Sequence, residues 1–443
     1  MKNMTRNISG IILAVLAIGC LPHSPSAQIN VEGDFRVRYY SDHFSETLDN
    51  RGTENYMRYL ARIRGRGQIN SKAQFYVELI NWTENNPTSP VRNIAGTGKM
   101  EYGISQVFAE IREPNFLVFD LARLRVGRQQ FPIGDGLTQG SSYYFYDMFD
   151  GVRVDLSYKL STLSLFGAIT GQNVSSNGLY PDPGSDQLFI ARYSRPFLGQ
   201  NFMGYYIYNK LRGNVNDSYI IGFGVSGEQL QTRLQYALEI AQQDFHTLDA
   251  LPEKGGIGYM ARISYRFPMG PFRSVKVETR YAAYQGDDPD TDEIEIFSPR
   301  FPSFFWGGRN GYVNGAIGGD YPYDGRNPEG TRLWYSRIYV VPKAIPKLRL
   351  QVDYLKSNEF VDNPDYNPLD PVTGEPMSEY NSMDDELSFR AYYQLASQIQ
   401  IQFRLCQTFP NGEDADINQS GTLTWSEDRV RQTRYMFEIQ TDF

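Results

Sequence analysis

The most constraining feature of the sequence is an alternation of apolar and polar side chains with a period of two residues. Between 57 and 68, for example, the odd positions are apolar or small and the even positions are mostly arginine. Successive side chains of an extended strand point to opposite faces, so the pattern predicts strands with one apolar and one polar face. Helices have a longer period and do not give this alternation. It recurs at 31–39, 73–79, 152–158, 233–240, 275–281 and 398–405.

The number of such runs predicts the size of the sheet. We count about 18 candidate strands, and an even number suits a closed bacterial barrel. The alternation is blurred near 186, 202 and 218, so the fallback count is about 16. We therefore predict an all-β fold, a single antiparallel transmembrane β-barrel of about 18 strands. The candidates start near 31, 56, 71, 104, 117, 150, 160, 186, 202, 218, 230, 257, 274, 332, 347, 384, 397 and 431.

The lengths of the connections support this interpretation, because outer-membrane barrels alternate short periplasmic turns with longer external loops. Short links are expected near Asn70, Lys159 and 394–396, for example. Both chain ends then lie on the periplasmic side. The expected long links are 41–55, 82–103, 128–149, 171–185, 242–256, 285–331, 357–383 and 407–430.

The first segment, residues 1–27, reads as a signal peptide, with basic residues before an apolar run and small residues near Ala27. Alternatively, Cys20 ends a lipoprotein processing box and is lipidated. The outer-membrane barrel then occupies residues 28–443. Its last strand ends on Phe443, which resembles the terminal signature read by the barrel-insertion machinery, an expected partner. We expect the cell outer membrane of a Gram-negative bacterium, with its lipid around the barrel.

Composition excludes several functions. The net charge of −8 argues against a nucleic-acid partner, since such partners require a basic face. His43 and His246 both fall in expected external loops, and no GxSxG, HExxH, CxxC or phosphate-binding glycine loop accompanies them. If Cys20 is removed or lipidated, Cys406 is left without a disulfide partner. We expect no enzyme activity and no cofactor.

The polar faces carry more arginine than acid, so the lumen of the predicted barrel is net basic. Rings of arginine attract anions, and guanidinium groups bind carboxylates and phosphates through two hydrogen bonds. The alternative is that these arginines pair with acids on facing strands and hold the wall together. The candidates are Arg58, Arg62, Arg64, Arg66, Arg123, Arg125, Arg153, Arg280, Arg349, Arg390 and Arg404. The first four are the best exceptions to simple pairing, because four like charges share one face.

One stretch is more specific. LRVGRQQFPIGDG at 124–136, followed by FDGVRVDLSY at 149–158, resembles the alginate-export family of outer-membrane channels. The resemblance implies an 18-stranded monomeric barrel with an arginine-rich constriction, and it gives Arg128 and Arg153 roles there. The sequence departs from the family downstream, because 136–147 is rich in tyrosine where a more basic, tryptophan-containing loop is expected.

Read from its residues alone, the same stretch is a strand end followed by a tight loop, in which Gly134 and Gly136 permit a positive φ. Folded inward, this loop narrows the pore. Folded outward, it is an ordinary surface loop. Both alternatives stay open at this point.

Aromatic clusters at 141–147 and 297–308 suit either stacking on sugar rings or the interfacial girdle of a barrel. Acidic loops at 286–295, 361–370 and 413–421 offer oxygen ligands for calcium, or are simply solvated. The expected function is passive diffusion of anionic solutes, such as acidic saccharide or polysaccharide, through the arginine-lined lumen. The alternatives are a general, weakly selective porin and a structural or adhesion barrel that acts through its external loops.

Overall fold

The structure is a computed structural model. It describes residues 28–44, 53–85, 100–134, 136–138, 149–170, 186–210, 217–229, 233–246, 253–286, 294–297, 331–359, 385–409, 414–417, 423–426 and 432–443. The predicted signal segment 1–27 and Cys20 lie outside these residues. In the described part of the chain, no helix is both long enough and apolar enough to cross a membrane.

Eighteen long strands form one sheet. They are β1 (Gln28–Phe44), β2 (Thr53–Gln68), β3 (Ala73–Asn85), β4 (Met100–Phe116), β5 (Phe119–Gln129), β6 (Phe149–Tyr158), β7 (Ser161–Thr170), β8 (Asp186–Phe197), β9 (Gln200–Lys210), β10 (Asp217–Gln229), β11 (Leu234–His246), β13 (Ile257–Met269), β14 (Phe272–Tyr284), β16 (Thr331–Pro342), β17 (Leu348–Glu359), β18 (Asp385–Ala396), β19 (Ile399–Phe409) and β22 (Gln432–Asp442). Two small pairs stand apart from this sheet: β12 (Glu253–Gly255) with β15 (Ile294–Ile296), and β20 (Asp414–Ile417) with β21 (Leu423–Ser426).

The sheet closes on itself. Each barrel strand pairs antiparallel with the next one along the chain, and β22 also pairs antiparallel with β1. The prediction of 18 strands is therefore confirmed, and the fallback of 16 is wrong. The three blurred runs are real strands, β8, β9 and β10.

The connections alternate in length around the barrel. Two-residue turns join β4 to β5 and β6 to β7, for example, whereas the links after β3 and β5 are long. Sequence reasoning missed one link on the long-loop side, at 211–216, and placed some strand ends too early. His43 and His246 were expected in loops, but they lie at the ends of β1 and β11.

Side chains alternate between the outside and the inside of the wall. In β10, Ile221 and Phe223 are 59% and 49% exposed on the outer surface, while Ile220 points inward and is 1% exposed. The outer surface is apolar around the barrel, as contact with lipid requires. Closure pairs the edges of the sheet, which leaves no open backbone edge in the membrane.

The seam between β1 and β22 is closed by the last residue. The backbone amide of Gly33 donates to the carbonyl of Phe443 at 2.8 Å, and the amide of Phe443 donates back at 3.0 Å. A Cβ added to Gly33 would lie only 2.4 Å from Cζ of Phe443. The absence of a side chain at residue 33 thus makes room for the terminal aromatic ring.

Candidate functional site

The described residues of the segment 130–138, which follows β5, lie inside the barrel. Phe131, Ile133 and Leu137 are 1%, 0% and 0% exposed, and the ring of Phe131 stacks on Phe166 with centroids 5.1 Å apart. Of the two alternatives left open by the sequence, the inward fold is the one observed. The segment packs on a lumenal wall that is apolar on this side, formed by Phe166, Ala168, Leu188, Ile190, Met203, Tyr205, Ile207, Ile220, Ala241, Met260, Ala282 and Tyr284.

Two glycines shape the inward segment, as predicted. Gly134 has a φ of +53°, and a Cβ there would lie 2.2 Å from Oε2 of Glu239 on the wall. Gly136 has a φ of +95°, and its amide donates to the carbonyl of Ile133 at 3.0 Å. Both positions use a backbone conformation that residues with a Cβ rarely adopt. The segment therefore turns tightly and approaches the wall closely at these points.

Arg128 joins the two halves of the motif that resembles the alginate-export family. Its Nε and Nη2 donate to the two carboxylate oxygens of Asp150 at 2.9 and 2.7 Å. The register, however, gives this pair the same face as Val126 and Val152, which are exposed on the outside of the barrel. Arg128 therefore lies on the outer face at the end of β5, and the expectation that it lines the constriction is corrected.

Arg153 does lie beside the inward segment. Its guanidinium is 4.7 Å from the centroid of the Phe131 ring, and that of Arg192 is 5.2 Å from the same centroid. Arg192 also donates to the carbonyl of Pro132 at 3.2 Å. Arg153 contacts Asp155 at 2.9 Å, whereas Arg192 has no ion pair within the described residues.

Sequence reasoning missed Arg192. It stands on β8, where inward Leu188 and Ile190 are as apolar as their outward neighbour Phe189, so alternation gives no signal. The inward segment explains this composition, because it supplies an apolar environment inside the barrel.

On strands β1 and β2, one carboxylate contacts three arginines. Asp34, 3% exposed, lies 3.6 Å from Arg36, 2.9 Å from Arg62 and 2.7 Å from Arg64. Arg64 also contacts Glu78 at 2.8 Å. The predicted pairing across strands is real for Arg62 and Arg64, but the basic groups outnumber the acidic ones.

The other two arginines of this predicted run differ. Arg66 is exposed to the lumen, lies 5.9 Å from the centroid of the Tyr76 ring and makes no ion pair with any described residue. The backbone of Arg58 faces Arg38 of β1 and Glu84 of β3 in register. The side chain of Arg58 lies outside the described part of the chain.

Glu110 on β4 is a second carboxylate that contacts three arginines. It is 1% exposed and lies 2.6 Å from Arg112, 3.7 Å from Arg123 and 2.6 Å from Arg125. The guanidinium of Arg125 also covers the ring of Phe108, 4.1 Å from its centroid. Arg123 and Arg125 are thus placed on the lumenal wall, as the alternation predicted.

Two further acids are also shared. Glu278 contacts both Lys276 at 2.7 Å and Arg280 at 2.8 Å. Asp353 contacts Arg337 at 2.7 Å and Arg390 at 2.8 Å. Arg337 was not among the predicted site residues.

The remaining two predicted arginines have no ion pair within the described residues. Arg349 is exposed and lies over the ring of Tyr392, 4.1 Å from its centroid. Arg404 is buried, 2% exposed. The predicted lumenal set is therefore spread around the barrel wall instead of forming one cluster.

Taken together, Asp34, Glu110, Glu278 and Asp353 are each contacted by two or three cations. Ion pairing thus organises the wall without neutralising it. Most of these guanidiniums stay partly exposed to the lumen, for example 23% for Arg64 and 30% for Arg123. Such groups keep N–H donors that a passing anion can use.

The loops predicted to carry saccharide or calcium ligands fall almost entirely outside the described residues. Residues 141–147, 298–308 and 361–370 lie outside the described residues, and so do the side chains of 287–295 and 413–421. Of the two aromatic clusters, only Phe297 is described, and it is buried against Tyr284. The described residues contain no group of three His, Cys, Asp or Glu side chains that could hold a metal ion.

No protein-family model and no curated protein matches the chain. Among solved structures, the barrel is similar to Pseudomonas aeruginosa OccK9 (OpdG), with 11% identity, a TM-score of 0.55 and coverage of 94% of this chain and 99% of that one. For Pseudomonas aeruginosa OprD the identity is 12%, the TM-score is 0.51, and the match covers 94% of this chain and 95% of that one. For OccK2 (OpdF) from the same organism, in complex with glucuronate, the identity is 9%, the TM-score is 0.51, and the match covers 94% of this chain and 98% of that one.

At these identities the likeness shows a shared fold, that of 18-stranded outer-membrane porins. It does not support the narrower resemblance to the alginate-export family. A closed barrel with an apolar outer surface and a polar lumen indicates a protein of the Gram-negative outer membrane.

Proposed function

We propose that this barrel is a passive channel that admits anionic solutes through its arginine-lined lumen. The observation that carries the proposal is that four lumenal acids are each shared by two or three cations, seen most clearly where Asp34 contacts Arg36, Arg62 and Arg64. Such a wall attracts anions along its length. No cofactor or energy source is needed for diffusion down a gradient.

The wall is suited to the passage of anions because it carries several similar guanidinium sites. Conduction requires binding that is strong enough to enter and weak enough to leave, which neighbouring sites of like affinity provide. Partly exposed guanidiniums in contact with an acid meet this condition, since the acid takes up some donors and leaves others to the solute. Arg153 and Arg192 continue the path beside the inward segment.

Acidic saccharides are the solute class we favour. A guanidinium matches a carboxylate in geometry, and sugar rings stack on aromatic side chains. Tyr76 and Tyr392 lie beside the guanidiniums of Arg66 and Arg349, so charge and ring contacts are available together. One protein of the same fold is known in complex with glucuronate.

The first test is the reversal potential of the purified protein in a planar bilayer under a salt gradient. We expect anion-selective conductance. Neutralising Arg66, Arg192 and Arg349 together to glutamine should move the reversal potential toward zero, because fixed positive charge is removed from the lumen. These three are chosen because they have no ion pair in the described part of the chain, so their removal leaves no bare carboxylate behind. The matched control changes Lys159, Lys343 and Lys347 of the exposed turns to glutamine.

The outcomes separate the alternatives. A reversal potential near zero in the unaltered protein would favour a general porin. A protein without conductance would contradict the channel and favour a structural or adhesion barrel. An equal shift in the control would mean that total charge, and not the lumenal arginines, sets selectivity.

A second test addresses the solute. We expect glucuronate to block the current at lower concentration than glucose, because only the acid can pair with the guanidiniums. Equal block by both sugars would contradict acidic saccharides as the preferred class. The proposal includes lipid contact over the outer face, assembly through β22 by the barrel-insertion machinery, and function as a monomer.

A further inference from the structure

Two neighbouring inward side chains of β19 have N–H donors without an acceptor among the described residues. Arg404 and Gln402 are 2% and 6% exposed. Within the described residues, Nε and Nη1 of Arg404 and Nε2 of Gln402 have no hydrogen-bond partner. Arg404 also has no ion pair there. Both side chains lie near the middle of the strand, on the lumenal face.

The acids nearest to this pair are in contact with other arginines. Glu438 faces Gln402 in register, and it accepts a hydrogen bond from Arg38. On the other side, Arg390 faces Arg404 across β18 and β19. Of the two residues that face Arg404 in register, Arg390 therefore adds positive charge and Met436 is neutral.

Three more charged groups lie near this pair. Asp353, the acid beyond Arg390, contacts that arginine at 2.8 Å. Arg434 faces Cys406, the next inward residue of β19 after Arg404. Cys406 also donates to the buried acid Glu386 at 3.7 Å, so, with Arg404 itself counted, four arginines lie among three acids.

This arrangement is costly as it stands. A charged group removed from water needs a partner of opposite charge, and buried N–H donors almost always have acceptors in native proteins. A buried guanidinium beside a second one, with an unsatisfied amide next to it, lacks both. A bound anion that accepts hydrogen bonds would supply charge and acceptors at once.

We propose that a small oxyanion binds in the barrel wall between Arg404 and Gln402. The guanidinium donates through Nε and Nη1, and the amide donates through Nε2. This is a retained ion in the wall, so it does not depend on conduction. The same N–H donors would bind free sulfate or phosphate, or the carboxylate of a solute, and the tests distinguish these sources.

The direct test is a crystal structure of the full chain grown with sodium selenate, which has the shape and charge of sulfate. We expect an anomalous selenium peak within hydrogen-bond distance of the Arg404 guanidinium and the Gln402 amide. The peak should be absent from crystals of Arg404→Met. An unoccupied position in the unaltered protein would overturn a site for tetrahedral oxyanions.

The solution test is thermal unfolding of the full chain in detergent, with chloride replaced by sulfate or acetate at constant ionic strength. We expect sulfate to raise the unfolding temperature. In Arg404→Met and in Gln402→Met, about tenfold more sulfate should be needed, since a charge-assisted hydrogen bond is lost. Lys347→Met, in an exposed turn, removes the same charge as Arg404→Met and should respond as the unaltered protein does.

Each outcome decides something. A response to acetate but not to sulfate assigns the site to the carboxylate of a solute. Equal responses in Arg404→Met, Gln402→Met and the unaltered protein overturn the proposal. Because Arg404→Met leaves no bare carboxylate, it should fold in chloride; if it does not, Gln402→Met alone carries the test.

Discussion

At the scale of single residues, Asp34 shows how one buried carboxylate organises the positive charge of the wall. It is buried at 3% exposure and accepts from Arg62 and Arg64 at 2.9 and 2.7 Å, with Arg36 at 3.6 Å. A buried carboxylate that holds several guanidiniums both lowers their repulsion and fixes their positions. Its removal should therefore change stability and selectivity together.

We predict that Asp34→Asn lowers the free energy of unfolding by about 1 to 3 kcal/mol, because three guanidiniums lose their shared charge partner. The reversal potential should shift further toward anion preference. The control is Glu113→Gln, whose ion pair with Lys72 is 43% and 52% exposed, and whose loss should cost less than about 1 kcal/mol. Urea unfolding in lipid vesicles measures both, and equal losses would contradict the prediction.

At the scale of elements, the inward segment 130–138 is held by apolar contacts. Phe131, Ile133 and Leu137 fill space between the segment and the apolar side of the lumen, and Gly134 allows close approach to Glu239. The segment is thus a packed part of the interior. The guanidiniums of Arg153 and Arg192 lie over the ring of Phe131, so a movement of the segment would also move these two side chains.

We predict that the double variant Phe131→Ala and Leu137→Ala raises single-channel conductance and weakens anion selectivity. Each truncation removes about 2 to 5 kcal/mol of buried apolar contact, enough to release a short segment from the wall. Pro132→Ala is the control, because the Pro132 side chain is exposed and its carbonyl, which accepts from Arg192, is kept. Unchanged conductance in the double variant would mean that the segment does not limit the pore.

At the scale of the whole molecule, the barrel depends on one seam that joins its two ends. The strands β1 and β22 are pinned by reciprocal hydrogen bonds between Gly33 and Phe443, and the terminal ring covers Gly33 on the outer face. A closed barrel forms only when the last strand pairs with the first. Packing at residue 33 should therefore affect assembly of the entire wall.

We predict that Gly33→Val lowers the yield of folded, heat-modifiable barrel, since its Cβ would lie 2.4 Å from Cζ of Phe443 and 2.7 Å from the carbonyl of Arg62. Overpacking of this kind costs about 1 to 3 kcal/mol. Gly65→Val on the neighbouring strand is the control, because nothing lies within 4 Å of an added Cβ there. Equal yields on refolding into vesicles would contradict a role for the seam glycine.

The sequence by itself determined the wall. All of the predicted strand starts lie within a few residues of barrel strands, including those of β8, β9 and β10, where alternation is weakest. This worked because the period of two is a local property, since each residue of a thin wall has only lipid or lumen beside it. The same reasoning placed Arg64, Arg123 and Arg390 inside the barrel.

Only the tertiary structure decided what those arginines contact. Asp34 and Arg62 meet through the register of two strands, and a shift of one residue would separate them. The direction taken by 130–138 also depends on the far wall, where inward Leu188 and Ile190 look like lipid-facing residues in the sequence. Local periodicity reports polarity, whereas partners, the outward position of Arg128 and the unsatisfied donors of Arg404 arise from contacts between strands distant in the chain.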